Sequence, residues 1–147
     1  MAMDPSQLLG PGEGERLAFG PSTATLKAGV DDALGSFALM DLTIAPGFPG
    51  PVPHRHELMV DSFYVLEGVL ELRLGDDEVA APAGSYAIVP PGNVHTFSNP
   101  GRDPVRVLNP IAPAGLERYL RELAQRGGPP DPAVMAQLAS KYDFAAI

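Results

Sequence analysis

All three histidines of the chain lie in two short segments, PHRHELMVDSFYVLEG (Pro53–Gly68) and GSYAIVPPGNVHTFSN (Gly84–Asn99). Side chains alternate between faces along a strand but rotate around a helix, so a His-x-His pair aims both imidazoles one way only in extended chain. Pro51 and Pro53 before the pair, and the run Phe63-Tyr64-Val65-Leu66 after it, favour extended chain. His54 and His56 are therefore expected on one face. His95 is the remaining imidazole, and it follows the Pro90-Pro91-Gly92 turn that reverses the chain. Three neutral imidazoles with one carboxylate suit a divalent transition ion such as iron, manganese, nickel, copper or zinc. Asp61 is the expected carboxylate. Glu57 could replace it only through a local bulge, because its place next to His56 puts it on the opposite strand face.

The two segments resemble the paired motifs of the cupin superfamily. In the first, His-x-His is followed by four residues, a carboxylate, six residues and Gly: here His54, His56, Asp61 and Gly68. In the second, Gly, five residues, Pro-x-Gly, two residues, His, three residues and Asn read Gly84, Pro90, Gly92, His95 and Asn99. Two multi-residue motifs in the right order are a far more specific signal than a lone His-x-His. The departure is Asp61, where the family usually has Glu. Asp is shorter by one methylene, so it ligates if the backbone moves in and otherwise holds water or substrate. The resemblance covers most of residues 15–112 and implies an all-β jelly-roll barrel with the metal held inside by His54, His56, Asp61 and His95.

Within the superfamily the chain looks most like small single-domain, quercetin-dioxygenase-like cupins, in which phrases like FYVLEG and PAGLERYL recur. That likeness implies a metal-dependent dioxygenase acting on an aromatic or enolic small molecule, with Asp61 in the place of the family's general base. Two alternatives stand beside it. One is an isomerase or polyketide-cyclase type, in which the ion polarises a carbonyl; the other is a barrel that binds a small molecule without turnover. Strand alternation from Asp61 puts Phe63 and Val65 on the metal face, and alternation from His95 adds Phe97. Met59, between the ligands, is a candidate flexible wall. These four residues are the expected substrate pocket; Phe37, Met40 and Phe48 are candidates for its mouth, and Tyr64 is expected to pack between sheets.

The elements that must hold these residues are short. Strand-like runs fall at 24–28, 36–44, 63–67, 69–74, 78–80, 86–89, 95–98 and 105–108, separated by turns rich in Gly, Pro, Asn and Asp. After Pro110 the period changes. Leu116, Tyr119, Leu120 and Leu123 recur at helical spacing and end at Gly127-Gly128; a second helix is expected from Asp131 as N-cap with Pro132 at its first position. The apolar face of the first helix would cover its own barrel, form a dimer contact or act as a lid. The domain reading is a flexible arm over 1–14, a barrel over 15–112 and a helical tail over 113–147.

Composition narrows the function classes. With 147 residues the chain makes one domain with a real core. Ten basic against 18 acidic residues leave a formal charge of −8, and no basic run could follow a phosphate backbone, so nucleic acid is not an expected partner. The absence of cysteine excludes disulfides and thiolate ligands. No signal segment or apolar run of about 18 residues is present, so no membrane partner is expected and the cytoplasm is the expected compartment. A homodimer is expected, through the outer sheet or the helical tail.

Overall fold

The computed structural model describes residues 6–127 and 132–146. Two antiparallel sheets face each other. The strands are β1 (Glu15–Phe19), β2 (Ser22–Ala28), β3 (Ala38–Ile44), β4 (His54–Arg55), β5 (Val60–Glu67), β6 (Val69–Leu74), β7 (Asp77–Pro82), β8 (Tyr86–Val89), β9 (His95–Ser98), β10 (Val105–Ala112) and β11 (Ala145–Ala146). The first sheet runs β1-β2-β3-β10-β5-β8 and the second β11-β4-β9-β6-β7. Two helices, α1 (Leu116–Arg126) and α2 (Pro132–Lys141), lie between β10 and β11.

Period-two alternation builds the core. On β3 it turns Ala38, Met40, Leu42 and Ile44 inward, and on β10 it turns Val105, Val107, Asn109 and Ile111 inward. From the facing sheet, Leu70 and Leu72 of β6 fill the same space. Gly68 joins β5 to β6 at φ 82°, where a side chain would be strained and would also crowd the Pro104 carbonyl. Gly50 is tighter still: at φ 90°, a Cβ there would fall 2.1 Å from the Phe97 carbonyl oxygen, so the loop before β4 can lie on β9 only as glycine.

Several boundaries differ from the sequence reading. β1 lies outside the strand-like runs of the sequence, because only Leu17 of its five residues is buried and an edge strand carries little alternation. β10 runs through Pro110 to Ala112 rather than stopping at Leu108. Its sheet tolerates the proline, whose carbonyl accepts the Ser62 hydroxyl at 2.8 Å. Tyr64 packs on the outside, 41% exposed and tilted against Tyr86, rather than between the sheets. Among the described residues no helix is long and apolar enough to cross a membrane.

α1 starts without a side-chain cap at Gly115. Buried Glu117 replaces one: its carboxylate accepts the Gly115 and Val30 N–H groups, both at 2.8 Å, tying the helix start to the loop after β2. Gly127 ends the helix by donating its N–H to Leu123. The expected break at Gly128 and N-cap at Asp131 lie outside the described residues. In α2, Leu138 is buried and Val134 half-buried.

Candidate metal centre

β4 and β9 are paired so that His54 and His95 sit directly opposite each other. His56 follows β4 on the same inward face, Arg55 between them pointing out towards Glu57. Asp61 comes from β5 in the other sheet, so the site spans the barrel. The four side chains are buried, and one ligand atom from each lies within 4.8 Å of the others. Asp61 Oδ2 is 3.0 Å from His95 Nε2 and 3.5 Å from His56 Nε2. The short aspartate therefore reaches the imidazoles. Glu57 is exposed and pairs with Arg55, away from the site.

The chain also fixes how each ring is presented. Nδ1–H of His54 donates to the Val52 carbonyl at 2.8 Å, that of His56 to the Asp143 carbonyl, and that of His95 to the Asn93 carbonyl at 3.3 Å. With Nδ1 protonated, a neutral ring carries its lone pair on Nε2, the atom aimed at the cluster. His56 Nε2 is buried with no hydrogen-bond partner. Both His95 nitrogens face acceptors, so a neutral ring satisfies only one of them. A cation among three imidazole lone pairs and a carboxylate would answer both deficits; the donor set suits a first-row divalent ion.

Charge in the metal-free site follows from burial and proximity. Burial, with His95 beside it, pushes His54 down to about 4. For His56 burial acts downward too, but the Asp61 carboxylate and the Asp143 carbonyl outweigh it and raise the group above its ordinary value. Burial alone would raise Asp61; His56 and His95 overcome it and hold the carboxyl down at about 2. Asp61 is thus ionised at any ordinary pH.

A cavity of about 610 Å³ opens beside the cluster, and His54 and Asp61 form part of its wall. Met40, Leu42, Phe48 and Phe97 line it from the barrel, and Leu116, Tyr119, Leu120 and Leu123 from α1. Of the expected pocket residues only Phe97 borders this space. Phe63 lies behind it, against His95 and Phe97, while Val65 and Met59 are core. Phe37 is 44% exposed and apart from the cavity, unlike Met40 and Phe48. The apolar face of α1 is turned into its own barrel.

Three residues near the centre were not foreseen. Buried Asn109 donates Nδ2–H to Asp61 Oδ1 and to the Ser62 carbonyl, both at 2.7 Å, so one carboxylate oxygen is tethered and the other faces the histidines. Its signal was available: a polar residue at an inward position of V-R-V-L-N-P-I. Asp143 and Phe144 come from the segment after α2. Phe144 stacks on His54 with ring centroids 4.2 Å apart, and Asp143 holds the loop after His56.

The chain's likenesses agree with this architecture. Residues 40–110 match the family described as Cupin domain. Quercetin 2,3-dioxygenase of Bacillus subtilis is 34% identical over 116 residues, covering 79% of this chain and 34% of that protein. The chain thus spans about a third of the length of that relative. Among solved structures, KdgF from Halomonas superposes with a TM-score of 0.66 at 17% identity, over 77% of this chain and 98% of that one. A sugar phosphate isomerase of Silicibacter pomeroyi does so with a TM-score of 0.55 at 24% identity, over 62% and 59%. At such identities the structural likenesses speak for the fold. Two facing antiparallel sheets, both histidine motifs in or beside their strands and the match of residues 40–110 to the Cupin domain together give this chain a cupin-type fold.

Proposed function

We propose that the protein is a metal-dependent dioxygenase for an uncharged aromatic or enolic small molecule. The observation that carries this reading is the Asp61 carboxylate, tethered by Asn109 and set beside His54 at the wall of a cavity lined mostly by apolar side chains. The cavity has the size of a small-molecule site. No lysine or arginine lines it among the described residues, which disfavours phosphorylated or carboxylated substrates. The curated relative's reaction belongs to the same substrate class.

His54, His56, His95 and Asp61 would hold the ion. When bound, an open-shell metal supplies activation of dioxygen, whereas zinc supplies Lewis acidity alone. The remaining work falls to the chain. Asp61 accepts a hydrogen bond from a substrate hydroxyl, Asn109 keeps its carboxylate oriented, and the Phe48, Phe97 and α1 walls exclude water and stack on a flat substrate. The same carboxylate beside a redox-inert ion would serve proton transfer in an isomerase or cyclase, so oxygen separates the two readings. Metal analysis of protein purified without added metal, followed by oxygen uptake on aromatic diols and flavonols, is the test. Anaerobic turnover to a product isomeric with its substrate, or differing from it by water, would overturn the dioxygenase. As further parts of the proposal, the protein works in the cytoplasm as a homodimer, formed through the outer face where Tyr64, Tyr86 and Ile88 are exposed. A monomeric mass in sedimentation would remove the dimer.

A further inference from the structure

The segment after α2 reaches the metal centre from the far end of the sequence. Ala145 and Ala146 pair with Arg55 and His54, making β11 the neighbour of the strand that begins with a ligand. Just before it, the Asp143 side chain receives three consecutive backbone N–H groups: Glu57 on Oδ1 at 2.5 Å, and Leu58 and Met59 on Oδ2, each at 2.8 Å. Three successive amides converging on one oxyanion form a nest, a device for binding anions. Here the anion is the chain's own. The same residue's carbonyl takes the His56 Nδ1–H. The next residue, Phe144, is 7% exposed and lies between two rings, at 4.2 Å from His54 and 5.0 Å from Tyr119, with interplanar angles of 19° on both sides.

We propose that Asp143 and Phe144 are positioning residues of the metal centre, Asp143 setting the His56 ring through the loop it clamps and Phe144 setting the His54 ring by stacking. The proposal rests on the metal-binding reading of the four-residue cluster. Its physical content is preorganisation. Two of the three imidazoles have their free nitrogens aimed by residues 87 and 90 positions away in sequence, so the ligands are held in convergence by the chain itself. A ring sandwiched between Tyr119 and His54 also couples the cavity wall of α1 to a ligand.

Titration of the full-length protein with cobalt(II) tests this, read both as affinity and as the visible d–d spectrum, which reports coordination number and symmetry. Asp143→Ala and Phe144→Leu should each weaken cobalt binding by roughly 10- to 100-fold and alter the spectrum, while the circular dichroism of the metal-free protein stays β-rich. Asp143→Asn keeps one acceptor oxygen and Phe144→Tyr keeps the stack, so both should recover most of the affinity and the parent spectrum. These milder variants decide the matter if Asp143→Ala fails to fold. A purely structural role would lower the melting temperature and leave affinity and spectrum alone at temperatures where the variants are folded; that result overturns the proposal. Failure of the unaltered protein to bind cobalt would overturn the metal reading and this inference with it.

Discussion

The same strands that build the barrel do opposite things at their two ends. Along β10, Val105 and Val107 belong at one end to the buried apolar cluster that also holds Val65, Leu70 and Leu72, with Asn99 as a buried polar neighbour bonded to the Ile44 carbonyl. Two to four residues further on, the inward positions are Asn109 and Ile111, and opposite them stand Asp61 and the three histidines. One end is held mainly by apolar burial; the other gives up apolar contact for five buried polar side chains and a cavity. Polar groups so placed cost free energy unless each finds a partner. The barrel therefore separates its stability from its chemistry along the length of single strands.

The largest expected effect comes from placing the character of the one end into the other. Val107→Asp would bury an unpaired carboxylate at a fully buried site, costing more than about 4 kcal/mol, and should leave no cooperative unfolding transition. Asp61, also a buried aspartate, is tolerated because His56, His95 and Asn109 meet it. A normal denaturation midpoint for Val107→Asp would remove the distinction between the ends.

At the polar end, ligand loss should strike binding rather than folding. His54→Ala, His56→Ala and His95→Ala are each expected to weaken metal binding by at least about 100-fold, with β-sheet circular dichroism largely retained. Full metal content in two of the three would break the site.

Acid should loosen the polar end first in the metal-free protein. His54, held at about 4 against an ordinary 6.5, stays neutral in the fold while the unfolded chain takes up a proton. Stability should therefore fall between pH 6.5 and 4, by on the order of 3 kcal/mol from this group. Raised His56 has the opposite sign: its contribution is full below 6.5 and is lost as pH rises through its folded value. Asp61 adds stability present above 3.8 and lost only as pH falls towards 2. His54→Asn should remove the descent from 6.5 to 4 in denaturant midpoints and spare the steeper loss below. An unchanged pH profile in that variant would assign the descent to other groups.

The division between the ends also explains what could be read in the sequence. Strand alternation in Met40-Asp41-Leu42-Thr43-Ile44 and in His54-Arg55-His56 needs only local chain, so the inward residues and the ligand motifs were legible. Asn109 breaks an otherwise apolar alternation and could have been noticed by that break. Asp143 and Phe144 carry no comparable signal: their partners lie at 56–59 and 54, and nothing periodic connects them. The cavity walls are less legible for a related reason. Alternation gives a face but not depth, and Phe63 and Val65 face inward yet are covered, while α1 brings the cavity walls that strand counting omits.

The smallest expected effect lies where the two ends meet. Phe97 borders the cavity, leans on Phe63 at 5.4 Å and Phe48 at 6.0 Å, and sits two residues from His95 on β9. Phe97→Leu keeps a branched apolar side chain at a half-buried position, so a stability loss of about 1 kcal/mol is expected. His95 keeps its own hydrogen-bond partners, so cobalt affinity should not move. Flavonol affinity, followed by fluorescence, should drop by roughly 5- to 30-fold, because a flat ligand loses an aromatic wall. Such a split would show that the apolar chamber and the polar centre are separable parts of one site. Equal losses of metal and flavonol would instead mean that Phe97 supports the His95 ligand, and the boundary between the packed and chemical ends would then run through β9 itself.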